Sequence, residues 1–156
     1  MACWRPTAGL AVRSVCADRD AALIAGFGVE LARARGGEAD PGPLPLAGGL
    51  LSELASRPDR AVEAWLAVWE LPGADSGRIA GLASLVTSRT PTGRRHSIGW
   101  LLVHPADRRQ GVGRTLVTQA CRRAVETAAE TVWAESRGDW AGAIAFWRAV
   151  GFSAAG

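Results

Sequence analysis

Arginine and glycine residues between positions 101 and 116 have the types and spacing needed to bind an anion. This stretch reads LLVHPADRRQGVGRTL, in which an apolar run ends at Pro105 and two glycines, Gly111 and Gly113, precede an amphipathic run. Proline cannot donate to a sheet ladder, so a strand must end there. Glycine allows a tight turn and lets a ligand approach backbone N–H groups closely. A helix that begins at the glycines presents unpaired N–H groups and about half a positive charge, which favours phosphate.

Two other phosphate-binding motifs do not fit the same residues. A nucleotide P-loop ends in Gly-Lys-Ser/Thr, whereas Gly113 is followed by Arg114 and Thr115. A dinucleotide fingerprint needs a third glycine at the position of Leu116. The pattern therefore predicts an anion cradle of another kind, at the point where a strand passes into a helix.

The stretch resembles motif A of the GNAT superfamily of N-acetyltransferases, R/Q-x-x-G-x-G/A, through Arg108, Gly111 and Gly113. A second segment, AIAFWRAVGF at positions 143–152, is similar to motif B of the same family, AIxFYxxxGF. The two motifs lie at the separation that is typical of the family, and the resemblance extends over nearly the whole chain. We therefore expect residues 1–156 to form a single GNAT domain.

The resemblance implies an α/β (α+β) fold, the GNAT or acyl-CoA N-acyltransferase fold, with a mixed central sheet flanked by helices. In that fold the strand before motif A splays away from the next strand and leaves a V-shaped slot for acyl-CoA. The chain has four residues after Phe152, where the family usually has one more strand, so we expect this final strand to be missing.

Hydrophobic periodicity and turn residues predict the order β, α, α, three strands, α, β, α. A helix that carries Ile24, Phe27 and Leu31 inward follows the first strand, and a Gly/Pro-rich loop at positions 36–49 follows that helix. The other predicted elements are strands at Leu10–Val15, Ala61–Leu71, Ile79–Thr87, Ile98–Val103 and Thr131–Ala134, helices at Leu50–Ala55 and Trp140–Val150, an amphipathic helix with Val112, Leu116, Val117, Ala120, Ala124 and Ala128 on its apolar face, and a hairpin loop at Pro72–Gly77.

By the resemblance, acetyl-CoA is the cosubstrate and no metal takes part. The turn after the strand would hold the CoA pyrophosphate, and the exposed edge of the strand would pair with the pantetheine amides. The residues that the resemblance implies for cofactor binding are Leu101, Leu102, Val103, Arg108, Arg109, Gln110, Gly111, Val112, Gly113, Arg114 and Thr115.

The chain departs from the family at one residue that supplies a proton and at one that often contacts the pantetheine region. The family often has tyrosine where this chain has Trp147, and motif B asparagine is replaced by Trp140. An indole cannot protonate the leaving thiolate, but a thiol with a pKa near 8.5 leaves tolerably well without such an acid. A base is needed more, because an amine with a pKa of about 10.4 must lose a proton before it attacks. Glu135 and His96 are the candidate catalytic residues.

Composition limits the remaining possibilities. The net charge is +3, all 18 basic residues are arginine, and lysine, asparagine and tyrosine are absent, which is typical of a GC-rich bacterial genome. The scattered arginines do not favour nucleic-acid binding. Three cysteines without metal spacing, and no stretch of about 20 apolar residues, favour a cytoplasmic protein that does not bind a membrane.

These observations together predict an N-acetyltransferase in which a primary amine attacks the thioester of acetyl-CoA directly. The acceptor is a small-molecule or peptide amine. Alternatives are a noncatalytic acyl-CoA-binding or regulatory module with the GNAT fold and a truncated GNAT domain. A homodimer in which a neighbouring copy supplies the missing strand is a further prediction, because an unpaired sheet edge favours association.

Overall fold

A computed structural model of the chain describes residues 9–34, 46–54, 59–70, 77–135 and 141–154. Within these ranges the elements follow the predicted order. They are β1 (Leu10–Ser14), α1 (Ala17–Ala34), α2 (Leu46–Leu54), β2 (Arg60–Trp69), β3 (Arg78–Thr90), β4 (Gly93–Val103), a single 3₁₀ turn (Pro105–Asp107), α3 (Val112–Glu126), β5 (Val132–Ala134) and α4 (Ala141–Ala149). The mixed α+β architecture is the predicted one.

The strands form one sheet in the order β1-β2-β3-β4-β5. Each pair among β1, β2, β3 and β4 is antiparallel, and β5 is parallel to β4. A parallel pair needs a long crossover, and α3 is the helix of this crossover. Among the described strands β5 pairs with β4 alone, which makes its other edge the place where the predicted second copy would add a strand.

Each face of the sheet is covered by two of the helices, and strand alternation divides the core accordingly. We call the two sides the α1 face and the α3 face. The α1 face buries Ala64, Leu66 and Val68 of β2 against α1 and α2. The α3 face buries Trp65 and Ala67 of β2 together with Val112, Leu116, Ala120 and Ala124 of α3. The predicted inward residues of α1 (Ile24, Phe27 and Leu31) are buried as well.

Several sequence predictions about element ends are wrong. Strand β2 ends at Trp69, two residues before the predicted end at Leu71. Helix α2 begins at Leu46 rather than Leu50, inside the predicted Gly/Pro loop. Strands β3 and β4 are longer than predicted and meet at a turn beside Gly93. The sequence prediction missed these ends because they are polar and lack the apolar alternation of a buried strand. Helix α3 ends at Glu126, so Ala128 lies beyond it with a φ of 62° and is exposed.

Several residues of the sequence predictions lie outside the described residues. They are Cys3, residues 36–45 of the Gly/Pro segment, Leu71 at the end of a predicted strand, residues 72–76 of the predicted hairpin loop, and Trp140. The strands on either side of that loop are paired, with Trp69 opposite Arg78. Cys16 and Cys121 are free thiols. None of the helices in the described ranges has the length and apolar character that a membrane span requires.

A β-bulge in β4 bends the strand at Gly99 and Trp100. The register with β3 shifts here, since Leu101 lies opposite Ala83 while Ile98 lies opposite Leu85. The extra residue is accommodated by Ser84, whose Oγ accepts the Trp100 N–H at 2.8 Å. A Cβ atom at Gly99 would lie 2.8 Å from Ser84 Oγ and 2.8 Å from Val86 Cγ2. The bulge therefore depends on glycine at position 99, and bulges increase local bend and twist.

We expect Gly99→Val to destabilise the protein by about 1–3 kcal/mol, because the new side chain overpacks the space against Ser84 and Val86. The matched control is Gly26→Ala, in the middle of α1, where a Cβ meets nothing within 4 Å. That change should stabilise the protein by about 1 kcal/mol through helix propensity. Urea unfolding measures both. Equal stability of Gly99→Val and the unchanged protein would contradict the steric account of the bulge.

Candidate active site

The gap between β4 and β5 begins at the bulge. Strand β5 pairs with His96, Ser97 and Ile98 of β4, and the pairing ends there, although β4 continues to Val103. On its other side β4 stays paired with β3 as far as His104, whose N–H donates to Ala80 O at 2.8 Å. Over the second half of β4, β3 therefore stays paired with the strand while β5 does not. This leaves a slot on the β5 side of β4.

The direction of each peptide group along this part of β4 follows from the ladder. Because His104 N–H points to β3 and directions alternate along a strand, the N–H of Leu102 also points to β3. The N–H and C=O groups of Leu101 and Val103 point the opposite way, into the slot. Of the three strand residues predicted from the sequence, Leu101 and Val103 thus present backbone groups to the slot, whereas the backbone groups of Leu102 point to β3.

The buried side chain of Asp107 anchors the turn after β4. This carboxylate is 3% exposed and accepts both guanidinium N–H groups of Arg78, at 2.7 and 2.8 Å. The Trp69 indole N–H donates to it at 3.0 Å. Asp107 thereby fixes the 3₁₀ turn to the last residue of β2 and the first residue of β3. None of these three residues was predicted from the sequence, because only the folded sheet brings positions 69, 78 and 107 together.

The charge state of Asp107 is set by two opposing effects. Burial alone would raise the pKa of the carboxyl group, but the hydrogen bonds from Arg78 and Trp69 outweigh it and hold the pKa below its ordinary value. The same pair raises the pKa of Arg78. A bidentate arginine–carboxylate pair also restricts geometry, so the turn is held in one position when both groups are charged.

The N-terminus of α3 is left open by its own sequence. Gly111 occupies the N-cap with a φ of 80°, a left-handed conformation that glycine adopts without strain, and no side chain caps the helix. Thr115 bonds to Gly111 O through both its N–H (3.0 Å) and its Oγ1 (2.7 Å). Within the described part of the chain, the N–H groups of Val112, Gly113 and Arg114 receive no acceptor. The predicted anion cradle thus has three unpaired amides.

Gly113 also allows close packing between α3, α4 and β4, which the sequence pattern did not indicate. A Cβ atom there would lie 3.0 Å from Phe146 Cε2 and 3.6 Å from Val103 Cγ2. The glycine therefore lets α4 approach the start of α3 and the end of β4. The Phe146 ring therefore occupies the space that a side chain at position 113 would need.

Three arginines surround the cradle in different ways. Arg108 and Arg109 are exposed. Arg109 has a φ of 63°, in the left-handed region that costs a residue with a side chain about 1–2 kcal/mol. Arg114 donates to Ala149 O at 3.1 Å, at the end of α4. Among the described residues Arg108 and Arg109 have no ion-pair partner and can face an anion, whereas Arg114 also connects α3 to α4.

The two candidate bases lie in different surroundings, one exposed and one buried. Glu135 follows the last residue of β5 and is exposed, next to the point where β4 and β5 diverge. His96 is 3% exposed, and its Nε2 lies 3.2 Å from Thr127 Oγ1 at the C-terminal end of α3. Helix α3 is roughly 22 Å long, so this bond is far from the anion cradle. The fold does not bring His96 and Glu135 together.

The α1 face of the slot is lined by residues that the sequence did not single out. The Trp100 indole N–H donates to Glu53 Oε2 at 3.0 Å, which ties the bulge to α2. Trp133 of β5 is 40% exposed on the same face. On the α3 face, Trp147 of α4 makes edge contacts with Phe146 at 5.2 Å and Phe152 at 4.9 Å between ring centroids. Trp147 therefore belongs to an aromatic cluster at the base of α4.

Comparisons with known proteins agree with this geometry. Residues 43–152 match the family model described as the acetyltransferase (GNAT) family. No curated protein matches the chain in sequence. Among solved structures, an aminoglycoside acetyltransferase from an uncultured soil metagenomic sample, in complex with sisomicin, superposes with a TM-score of 0.71 at 17% identity, covering 95% of this chain and 91% of that one.

Two further solved structures have the same fold. An acetyltransferase of Trypanosoma brucei matches with a TM-score of 0.61 at 21% identity and covers 94% of both chains. AAC(6')-Iy, in complex with the bisubstrate analogue CoA-S-monomethyl-acetylneamine, matches with a TM-score of 0.66 at 13% identity, covering 93% of this chain and 91% of that one. At these identities the likeness concerns the fold.

The left-handed conformation of Arg109 gives a testable difference between neighbouring arginines. Arg109→Gly should be more stable than Arg108→Gly by about 1 kcal/mol, because Arg109 has a φ of 63° while Arg108 is extended at −67°. Thermal or urea unfolding of the two variants measures this difference. If Arg109→Gly is the less stable of the two, the turn does not hold position 109 in that conformation.

Proposed function

The chain belongs to the GNAT acetyltransferase family, and from that premise we propose that it transfers an acetyl group from acetyl-CoA to a primary amine. As a member of this family it is an acyltransferase. The observation that carries the proposal is that an uncapped helix N-terminus and an open strand edge meet at the end of β4. The first suits a diphosphate, and the second suits an extended chain that contains amides.

The residues present fit the two ends of CoA separately. At the α3 end, the unpaired amides of Val112, Gly113 and Arg114 follow closely in the chain on Arg108 and Arg109, and amides together with positive charge suit the pyrophosphate. Backbone of Gln110, Gly111 and Thr115 completes the turn. Along β4, the backbone groups of Leu101 and Val103 are about 7 Å apart and can pair with the pantetheine amides as an added strand would.

When bound, acetyl-CoA supplies an acetyl group activated as a thioester. Its reactive end would lie near the bulge, because the proposed pyrophosphate site is at the other end of this part of β4. The Leu101 N–H is the first slot-facing amide after the bulge. We assign to it the stabilisation of the negative charge that develops on the carbonyl oxygen during transfer.

Glu135 is the proposed base. An ammonium group must lose a proton before its nitrogen can attack, at a cost of roughly 4–5 kcal/mol at neutral pH, and a carboxylate at the mouth of the slot can accept this proton. The nitrogen then forms a bond to the acetyl carbon while the carbon–sulfur bond breaks and the sulfur leaves as thiolate. Of the two candidates, Glu135 is preferred because it is exposed, whereas His96 is buried against Thr127.

No tyrosine is present to protonate the thiolate, so we propose that water supplies this proton. Acid assistance contributes about 10²- to 10⁴-fold to a rate, whereas positioning of two reactants gives effective molarities of about 10⁵–10⁸ M. Transfer therefore depends mainly on the slot and less on an acid. Two of the structures named above are aminoglycoside acetyltransferases, which supports a small-molecule amine as acceptor.

The first test measures binding and transfer separately. Calorimetric titration with CoA should give saturable binding, and replacing both Arg108 and Arg109 with glutamine should weaken it about tenfold at low salt and less at high salt. The control is Arg122→Gln, an exposed position further along α3. Acetyl-CoA with a panel of primary amines should then release free thiol.

The outcomes of that test separate three accounts. No CoA binding by the folded protein would contradict the proposal. Binding without thiol release across the whole amine panel would instead support the noncatalytic acyl-CoA-binding module. An effect of Arg122→Gln as large as that of the double variant would mean that general surface charge, and not the turn, attracts CoA.

The second test concerns the base. Glu135→Gln should lower kcat by about 10²-fold at pH 7, with the deficit shrinking as the pH approaches the pKa of the amine, because hydroxide then deprotonates the acceptor. CoA affinity should be unchanged. Glu130→Gln, an exposed carboxylate before β5, is the control. A pH–rate profile of Glu135→Gln parallel to that of the unchanged protein would assign the base elsewhere.

A further inference from the structure

The acceptor must reach the slot from the α1 face of the sheet. Helix α3, whose N-terminus holds the proposed pyrophosphate site, packs on the opposite face through Val112, Leu116 and Ala120. The aromatic cluster of α4 also lies on that side, with Phe146 against Gly113. An amine that attacks at the divergence of β4 and β5 therefore approaches across the α1 face, beside Trp100 and Trp133.

A cation lies on this approach. The Arg95 guanidinium stacks on the ring of Trp133, with Cζ 4.8 Å from the ring centroid. Arg95 is exposed. Elsewhere in the chain Arg13, Arg78 and Arg123 each have a carboxylate within 3 Å, but Arg95 has none within ion-pair distance among the residues that the structure describes.

Stacking on an indole orients a guanidinium without using its hydrogen bonds. The planar group keeps its N–H donors at the edge of the plane, where they match the two oxygens of a carboxylate. The stack also removes part of the side-chain entropy that an isolated surface arginine would lose on binding. Arg95 is thus preorganised to bind an anionic group in front of Trp133.

The backbone separation between Trp133, which lies under this cation, and the proposed base sets the scale of an acceptor that contacts both. Trp133 lies opposite Ser97, one position before the last β4–β5 pair (Ile98 and Ala134). Glu135, the proposed base, follows two residues after Trp133, which is about 7 Å along an extended chain. An acceptor that places its amine beside Glu135 therefore reaches the Arg95 stack with a group about 7 Å away.

We propose that the acceptor is a primary amine that carries a carboxylate about 7 Å from its nitrogen, and that Arg95 stacked on Trp133 binds this carboxylate. This inference rests on the proposed acetyl transfer and names the substrate class for it: extended amino acids with a terminal amine, or short peptides with a free N-terminus. Arg95 acts here as a specificity residue, and Trp133 positions it.

The test compares acceptors that differ at one end. The pair is 5-aminopentanoate, whose extended length matches the separation, and pentylamine, which lacks the carboxylate. The KM for 5-aminopentanoate should be on the order of tenfold lower at low salt. Arg95→Gln should remove that preference by raising the KM for 5-aminopentanoate alone, with kcat for both acceptors unchanged. Arg94→Gln, the exposed neighbour opposite Arg89 on the other side of the strand, is the control.

Acceptor binding to the CoA-loaded protein, measured by calorimetry, provides a readout that does not need turnover. Tighter binding of 5-aminopentanoate than of pentylamine, lost in Arg95→Gln and kept in Arg94→Gln, supports the inference even if no thiol is released, in which case only the proposed transfer fails. Equal KM values and equal binding of the two acceptors would overturn the inference while transfer stands. So would an Arg95→Gln effect that is the same for both acceptors.

Discussion

One hydrogen bond, from the Trp100 N–H to Ser84 Oγ, holds the bulge on which the candidate active site depends. A bulge places two residues of one strand opposite one residue of its partner, and it changes the direction of the strand. Here the change comes directly after the last pair between β4 and β5. The first half of β4 is therefore an interior strand, and its second half borders a slot, while β4 stays paired with β3 on both sides of the bulge in a register shifted by one residue.

The proposed binding of CoA also requires a fixed position for the turn at the other end of the slot. Asp107 connects the turn after β4 to Trp69 and Arg78, and this buried carboxylate remains charged because Arg78 compensates for the loss of water. The turn then leads into a helix that begins without a side-chain cap. Unpaired amides at its N-terminus destabilise an isolated helix. Here they are available to donate hydrogen bonds to a ligand.

The local parts of the fold could be predicted from the sequence, and the long-range parts could not. Turn and helix at Gly111 follow from residue types that act over a few positions, and the faces of β2 follow from simple alternation. Ser84, Asp107 and Arg78 carried no signal, because each acts through a partner that is 16 to 38 positions away. Gly113 was correctly placed at the helix start, but its packing against Phe146 depends on where α4 lies.

The candidate bases illustrate the same limit. His96 and Glu135 are both near the slot in the order of elements, yet strand alternation turns the His96 side chain toward the C-terminal end of α3. A histidine in a strand can be assigned to a face only when the register and the bulge are known. The position of Trp133 and Arg95 on the α1 face depends on the same register, and a shift of one residue in β5 would move Trp133 to the other side of the sheet.

The most direct measurement of the central claim is amide hydrogen exchange, resolved by residue with NMR, along the second half of β4. Without ligand, Leu102 and His104 should exchange slowly because they donate to β3, and Leu101 and Val103 should exchange fast because they face an open slot. Addition of CoA should slow Leu101 and Val103 selectively. Uniformly slow exchange of all four amides before CoA is added, or no change at Leu101 and Val103 after CoA has bound, would contradict the account.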